Sequence, residues 1–153
     1  MNYFLAAEKN NRESKLVRIL KVDKDFTPCP VVDDDEIFPN GIFKFNITKM
    51  LECIEKNHDD VTLEEVAVSD VTSFSHINES HIDSVDISRP VILAEISPGR
   101  YNLIDGNHRI EKARRLGVMY IMAYRLNVEQ HIRFLTSKTA YLTYIEYWNS
   151  KLK

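Results

Sequence analysis

An α+β fold, with a small sheet flanked by helices and a long helix at the C-terminal end, is predicted by three features of the sequence. Branched apolar residues run together or alternate in short stretches, most clearly in RPVILAEI and YNLID on either side of a Ser-Pro-Gly-Arg turn. Apolar residues recur with the helical period after Asn46, after Gly106 and after Asn127. Turn-forming and polar residues separate these stretches, with no internal repeat and no low-complexity tract.

Taken in order, residues 16–22, LVRILKV, are rich in branched apolar side chains and predict a strand. The acidic run Asp33, Asp34, Asp35, Glu36 follows a Pro-rich turn; lacking the alternating ligands of a calcium loop, it predicts a solvated loop. FPNGIFKF carries a Pro-Asn-Gly turn signal, and Ile47, Met50, Leu51 and Ile54 behind Asn46 predict a capped amphipathic helix ending near Asn57. Residues 64–71, EEVAVSDV, alternate as a strand. SFSHINESHIDSVDI is polar, with Ile77, Ile82 and Val85 spaced for a short irregular helix. Residues 89–105 predict a hairpin entered at Pro90. Beyond Gly106 the period becomes helical: Ile110, Ala113 and Leu116 share a face, and Gly117 supplies the stop. VMYIMAYRL predicts a buried strand. Asn127 and Gln130 form a capping-box pattern for one long helix through about Tyr147, with Ile132, Leu135, Leu142 and Ile145 on its inner stripe. Tyr141, Tyr144, Tyr147 and Trp148, at helical spacing, are expected to dock that helix on the core.

At 153 residues, 44% of them hydrophobic and 28% charged, the chain reads as one globular domain spanning 1–153. It has no apolar run near the ~20 residues of a membrane span. MNYFLAAEKNNRESK lacks the layout of a secretory signal, so a cytoplasmic location is expected. Cys29 and Cys53 make neither a disulfide framework nor a metal half-site and are expected to be plain thiols. Charge is uneven, net −8 over residues 1–100 and net +5 over 101–153. The basic half can attract phosphates, on a nucleotide or a nucleic acid, though its magnitude is below that of a dedicated DNA-binding domain.

The junction YNLIDGNHRIEKARRLG concentrates the chemistry. A helix start leaves backbone N–H groups unpaired at the positive end of the dipole, and glycine lets a ligand approach the backbone. His108 and Arg109 fall in the first turn, where cations are unfavourable unless something negative compensates them. Two readings follow. Asp105 caps the helix and pairs with the basic residues as a self-satisfied turn, or the turn grips a bound phosphate with Asp105 orienting the basic pair. His76, Glu79 and His81 in HINESH match no zinc spacing and are expected to be surface polar groups.

The stretch RPVILAEISPGRYNLIDGNHRIEKARRLGVMYIMAYRL resembles the ParB/sulfiredoxin-like superfamily, which includes the amino-terminal domain of ParB partition proteins, sulfiredoxin and free serine kinases. Carrying the resemblance are Arg89-Pro90 before the apolar strand, then Asp-Gly-x-His-Arg and an Ala-containing helix ending in Leu-Gly. It covers residues 62–126, leaving 1–60 unassigned and 127–150 as the C-terminal helix. It implies a small mixed sheet with flanking helices, and a turn in which Asp105, Gly106, Asn107, His108 and Arg109, with Arg89, bind the phosphates of a nucleotide such as ATP, ADP or CTP. Asn107 stands where sulfiredoxin has its catalytic cysteine, so sulfiredoxin chemistry is not expected. Following the serine kinases, Glu79 or Asp83 is expected to serve as base or to share Mg²⁺ with the phosphates. The expected activity is nucleotide hydrolysis or phosphoryl transfer; the alternative is a non-catalytic module binding DNA or a protein.

Overall fold

The computed structural model describes residues 18–72 and 76–152. A hairpin opens it: β1 (Ile37–Asn40) pairs antiparallel with β2 (Phe43–Asn46) across the Gly41-Ile42 turn. Helix α1 (Ile47–Lys56) starts directly from β2. Asn46 makes that junction tight: its side-chain oxygen caps the amide of Lys49, while its amide group donates to the Pro30 carbonyl and the Asp35 carboxylate. Asp35 is therefore not part of a solvated loop. Its side chain is 4% exposed, and bonds from Asn46 and the Val32 amide hold its pKa below the usual carboxylate range.

The second sheet has the strand order β3-β6-β4-β5, built from β3 (Thr62–Ala67), β4 (Val91–Ser97), β5 (Arg100–Asp105) and β6 (Tyr120–Leu126). It is mixed: β4 runs parallel to β6, and the other pairs are antiparallel. Between them lie the one-turn helix α2 (Glu79–Ile82) and α3 (Asn107–Arg115), which carries the chain from β5 across to β6. Parallel neighbours require such a crossover.

Strand β4 explains why its sequence is apolar throughout rather than alternating: both faces are covered. Ile92, Ala94 and Ile96 join Ile47, Met50, Ile54, Tyr144 and Trp148 in the larger core, whereas Val91 and Leu93 meet Ile110 and Ala113 of α3 in a smaller one. Among the described residues no helix is long and apolar enough to cross a membrane.

Three expected elements differ. The strand expected over 64–71 stops at Ala67, and Val68–Asp70 form a 3-10 turn that buries Val68. Residues 18–22 form no strand, because side chains of the last helix take their backbone groups. Asn149 bonds both the amide and the carbonyl of Leu20, and the Trp148 indole donates to the Arg18 carbonyl. Residues 16 and 17 lie outside the described ones. The predicted helix from Asn127 is also broken. Asn127 and Gln130 do make the capping box, but α4 (Val128–His131) and a 3-10 turn (Ile132–Phe134) end at Leu135. There the backbone turns extended and bridges Phe45 of β2, and Thr136 donates to the Lys44 carbonyl. Ser137 then caps α5 (Lys138–Ser150). The inner face of α5 is Ala140, Tyr141, Tyr144, Ile145 and Trp148, and Leu142 points outward at 39% exposure.

His131, wholly buried, donates from Nε2 to the Glu95 carbonyl at 2.6 Å while its Nδ1 has no hydrogen-bond partner among the described residues. Burial pushes this imidazole down from 6.5 to about 4. The unfolded chain thus takes up a proton below about pH 6.5 that the folded chain refuses. Stability is expected to fall by up to ~3 kcal/mol between pH 6.5 and pH 4 from this group. Denaturant midpoints across that range check it, and His131→Gln should flatten the slope.

Candidate functional site

Strand β5 ends at Asp105, and the chain enters α3 through Gly106 at φ 106°, a conformation that side chains other than glycine's rarely adopt. Space demands glycine as well. A Cβ here would lie 2.3 Å from Cγ1 of Val91, so the turn is pressed against the first residue of β4. Arg109 completes the junction. Its Nη2 pairs with Asp105 at 3.0 Å, and its Nη1 donates to the carbonyls of Pro90 at 2.6 Å and Arg89 at 3.2 Å. The guanidinium, 11% exposed, clips the turn to the entry of β4. Of the two readings of the basic pair, pairing with Asp105 accounts for Arg109.

The rest of the junction faces open space. A cavity of about 530 Å³ is lined by residues 105–109, by His76, by Ser84, Val85, Asp86 and Arg89, and by residues 36–39 leading into the hairpin. No side chain caps the start of α3 at Gly106, so the positive end of the nine-residue helix is not masked by a capping oxygen. Arg89 is exposed, and although its backbone is bonded to Asp86 and Arg109, its guanidinium makes no hydrogen bond or ion pair among the described residues. His108 accepts a bond at Nε2 from the Asn78 amide, 3.0 Å away.

Two carboxylates complete the walls. Glu36, exposed at the cavity rim, is pushed above the usual carboxyl range by partial desolvation and then by Asp105, against the pull of Arg109 and Arg89. Asp86 is held below that range by the hydroxyl and amide of Ser88. The sequence predicts Glu36 only as part of a solvated acidic loop and gives no signal for Asp86. The available signal for Glu36 was its place, last in an acidic run and immediately before Ile37-Phe38.

Asp105, Gly106, Asn107, His108, Arg109 and Arg89 thus converge on one cavity. Glu79 and Asp83 do not line it. The Glu79 carboxylate is bound by both terminal nitrogens of Arg115, each at 2.7 Å, which lowers its pKa. The backbone of Asp83 takes the Lys112 ammonium. Both residues belong to the packing of the α2 region on the outer side of α3. A second depression of about 770 Å³ adjoins the cavity, sharing Phe38, Pro39, Leu103 and Ile104 with it.

Neither a protein-family model nor a curated protein matches the chain.

Gly106→Ala is expected to cost roughly 2 to 4 kcal/mol, combining positive-φ strain with overpacking against Val91. Gly117→Ala, also at positive φ but with nothing within 4 Å of its Cβ, should cost only about 1 kcal/mol. Arg109→Ala should lose roughly 2 to 4 kcal/mol by stranding the largely buried Asp105 carboxylate. Urea titrations of the three variants check the ranking.

Proposed function

We propose that the chain binds a phosphate-bearing small ligand, a nucleoside di- or triphosphate in the first instance, in the cavity at residues 105–109. The observation that carries this reading is an uncapped helix start opening into a cavity beside the unengaged guanidinium of Arg89. The first-turn amides of α3 and Arg89 would hold the phosphate. His108 would donate a hydrogen bond from its remaining nitrogen, and Arg109 would keep the turn in shape. The resemblance to the ParB/sulfiredoxin-like superfamily places the phosphates at the same turn and supports the reading.

Among the described residues no group of three His, Cys, Asp or Glu side chains could hold a metal ion by itself. This fits Mg²⁺ only as Mg²⁺ is commonly held, between substrate phosphates and one or two carboxylates. Glu36 and Asp86 are the carboxylates at the cavity wall for that purpose, and a bound Mg²⁺ would supply neutralisation of phosphate charge. If the ligand is turned over by hydrolysis or phosphoryl transfer, Glu36 is the wall carboxylate whose raised pKa favours accepting a proton from the attacking hydroxyl.

A DNA-binding reading has less support. The basic residues of the second half are largely matched: Arg114 with Glu111, Arg115 with Glu79, Arg125 with Glu64, and Lys112 with two carbonyls. Little unbalanced positive surface remains on α3 to follow a phosphate backbone.

Thermal unfolding with inorganic phosphate, ATP, ADP, CTP and GTP, with and without Mg²⁺, tests the proposal. A ligand at a hundredfold excess over its Kd stabilises by ~2.7 kcal/mol, a rise of roughly 5 to 10 °C for a chain of this size. The rise should vanish in Arg89→Ala, which leaves the Asp105–Arg109 clip in place. No shift with any of these ligands would overturn the proposal.

A further inference from the structure

Resting on the phosphate reading above, we infer that His108 serves the site as a neutral imidazole with its proton on Nδ1. The backbone N–H of Asn78 fixes it in that form, so the site is complete only when residues 76–86 are seated on α3. The chemistry follows from one hydrogen bond. The Asn78 nitrogen lies 3.0 Å from His108 Nε2, and a backbone amide can only donate. Nε2 therefore accepts and carries no proton, and a neutral ring must hold its proton on Nδ1. His81 packs beside the ring, 5.7 Å between centroids, and restricts its reorientation.

The segment bearing Asn78 is held to α3 mainly by polar side chains of that helix. Asn107 donates to the His76 carbonyl at 3.4 Å, Lys112 to the Asp83 and Val85 carbonyls at 3.0 and 2.9 Å, and Arg115 grips Glu79. Ile82, 5% exposed, is its buried apolar anchor. The same segment supplies His76, Ser84, Val85 and Asp86 to the cavity wall. Seating it therefore does two things at once: it closes one side of the cavity and selects the tautomer of a residue in the anion-binding turn. Asn78 is a positioning residue acting through His108. A neutral donor suits a cavity that also holds Glu36, because it directs a hydrogen bond at an anion without adding a charge that a carboxylate would attract.

The test is two-bond ¹H–¹⁵N correlation spectroscopy of the histidine rings in the ¹⁵N-labelled full chain, free and during titration with inorganic phosphate. In the wild type, His108 should show a protonated Nδ1 and a bare Nε2. Arg115→Ala, remote from the cavity, should loosen the segment, so that the Nδ1-protonated fraction falls and the phosphate Kd rises several-fold together. His108→Gln, which offers both an acceptor to Asn78 and an amide donor, should keep more phosphate affinity than His108→Phe. A proton on Nε2 in the wild type would overturn the inference. So would an Arg115→Ala variant in which tautomer and affinity are both unchanged. Failure of phosphate to bind a wild type that has the Nδ1 tautomer would instead remove the phosphate reading on which the functional role rests.

Discussion

Glu95 is a carboxylate in the interior of a small protein, 2% exposed in the middle of β4, and most of the fold is arranged around satisfying it. Burying such a charge costs several kcal/mol unless its oxygens are fully engaged. Arg18 binds both oxygens at 2.7 Å, the Gly99 amide adds a bond at 2.9 Å, and the Val128 amide adds a longer one at 3.4 Å. Burial alone would raise the Glu95 pKa, and these partners bring it below the usual range instead. The carbonyl of the same residue receives His131 and Tyr144. One residue thereby joins the N-terminal segment, the β4–β5 turn, α4 and α5. It also anchors β4, the strand whose entry, Arg89 to Val91, receives the clip from Arg109 and the pressure of Gly106.

The uneven charge along the chain is resolved by the same logic. Acidic residues of the first hundred positions find partners in the last fifty: Glu79 with Arg115 and Glu64 with Arg125. These pairs are exposed or half-exposed, so each contributes little to stability. Their effect is on surface potential. With these outer cations matched, the field at the start of α3 comes mainly from the helix end, Arg89 and the two wall carboxylates.

Much of this was legible in the sequence where one local signal controls one element. The capping role of Asn46, the 89–105 hairpin, the helix after Gly106 and the capping box at Asn127 each depend on residues within a few positions of one another. Two of the wall carboxylates were less accessible for the opposite reason. Glu36 and Asp86 reach the turn through tertiary packing, and the residues beside them signal it weakly or not at all. LVRILKV has strand composition, yet composition is silent about whether a partner strand or an asparagine side chain will take its amides. The break at Leu135 was masked because Ile132, Leu135 and Ile145 are all buried, as a continuous helix would also have them. Thr136-Ser137 held the cap signal, and the preceding apolar spacing outweighed it. For Arg109, residue type pointed to an anion, while its actual partners, two carbonyls and Asp105, depend on where β4 begins.

The cavity walls are contributed by stretches of chain that are folded by different forces. The turn at 105–109 is fixed by steric contact and an ion pair, residues 36–39 by a hairpin, and residues 76–86 by polar grips on a helix surface. A change in one wall need not propagate to the others. Substitutions at Phe38–Pro39 or Ser84–Asp86 can therefore reshape the cavity while the turn at 105–109 keeps the geometry that Val91 and the Asp105–Arg109 pair impose on it.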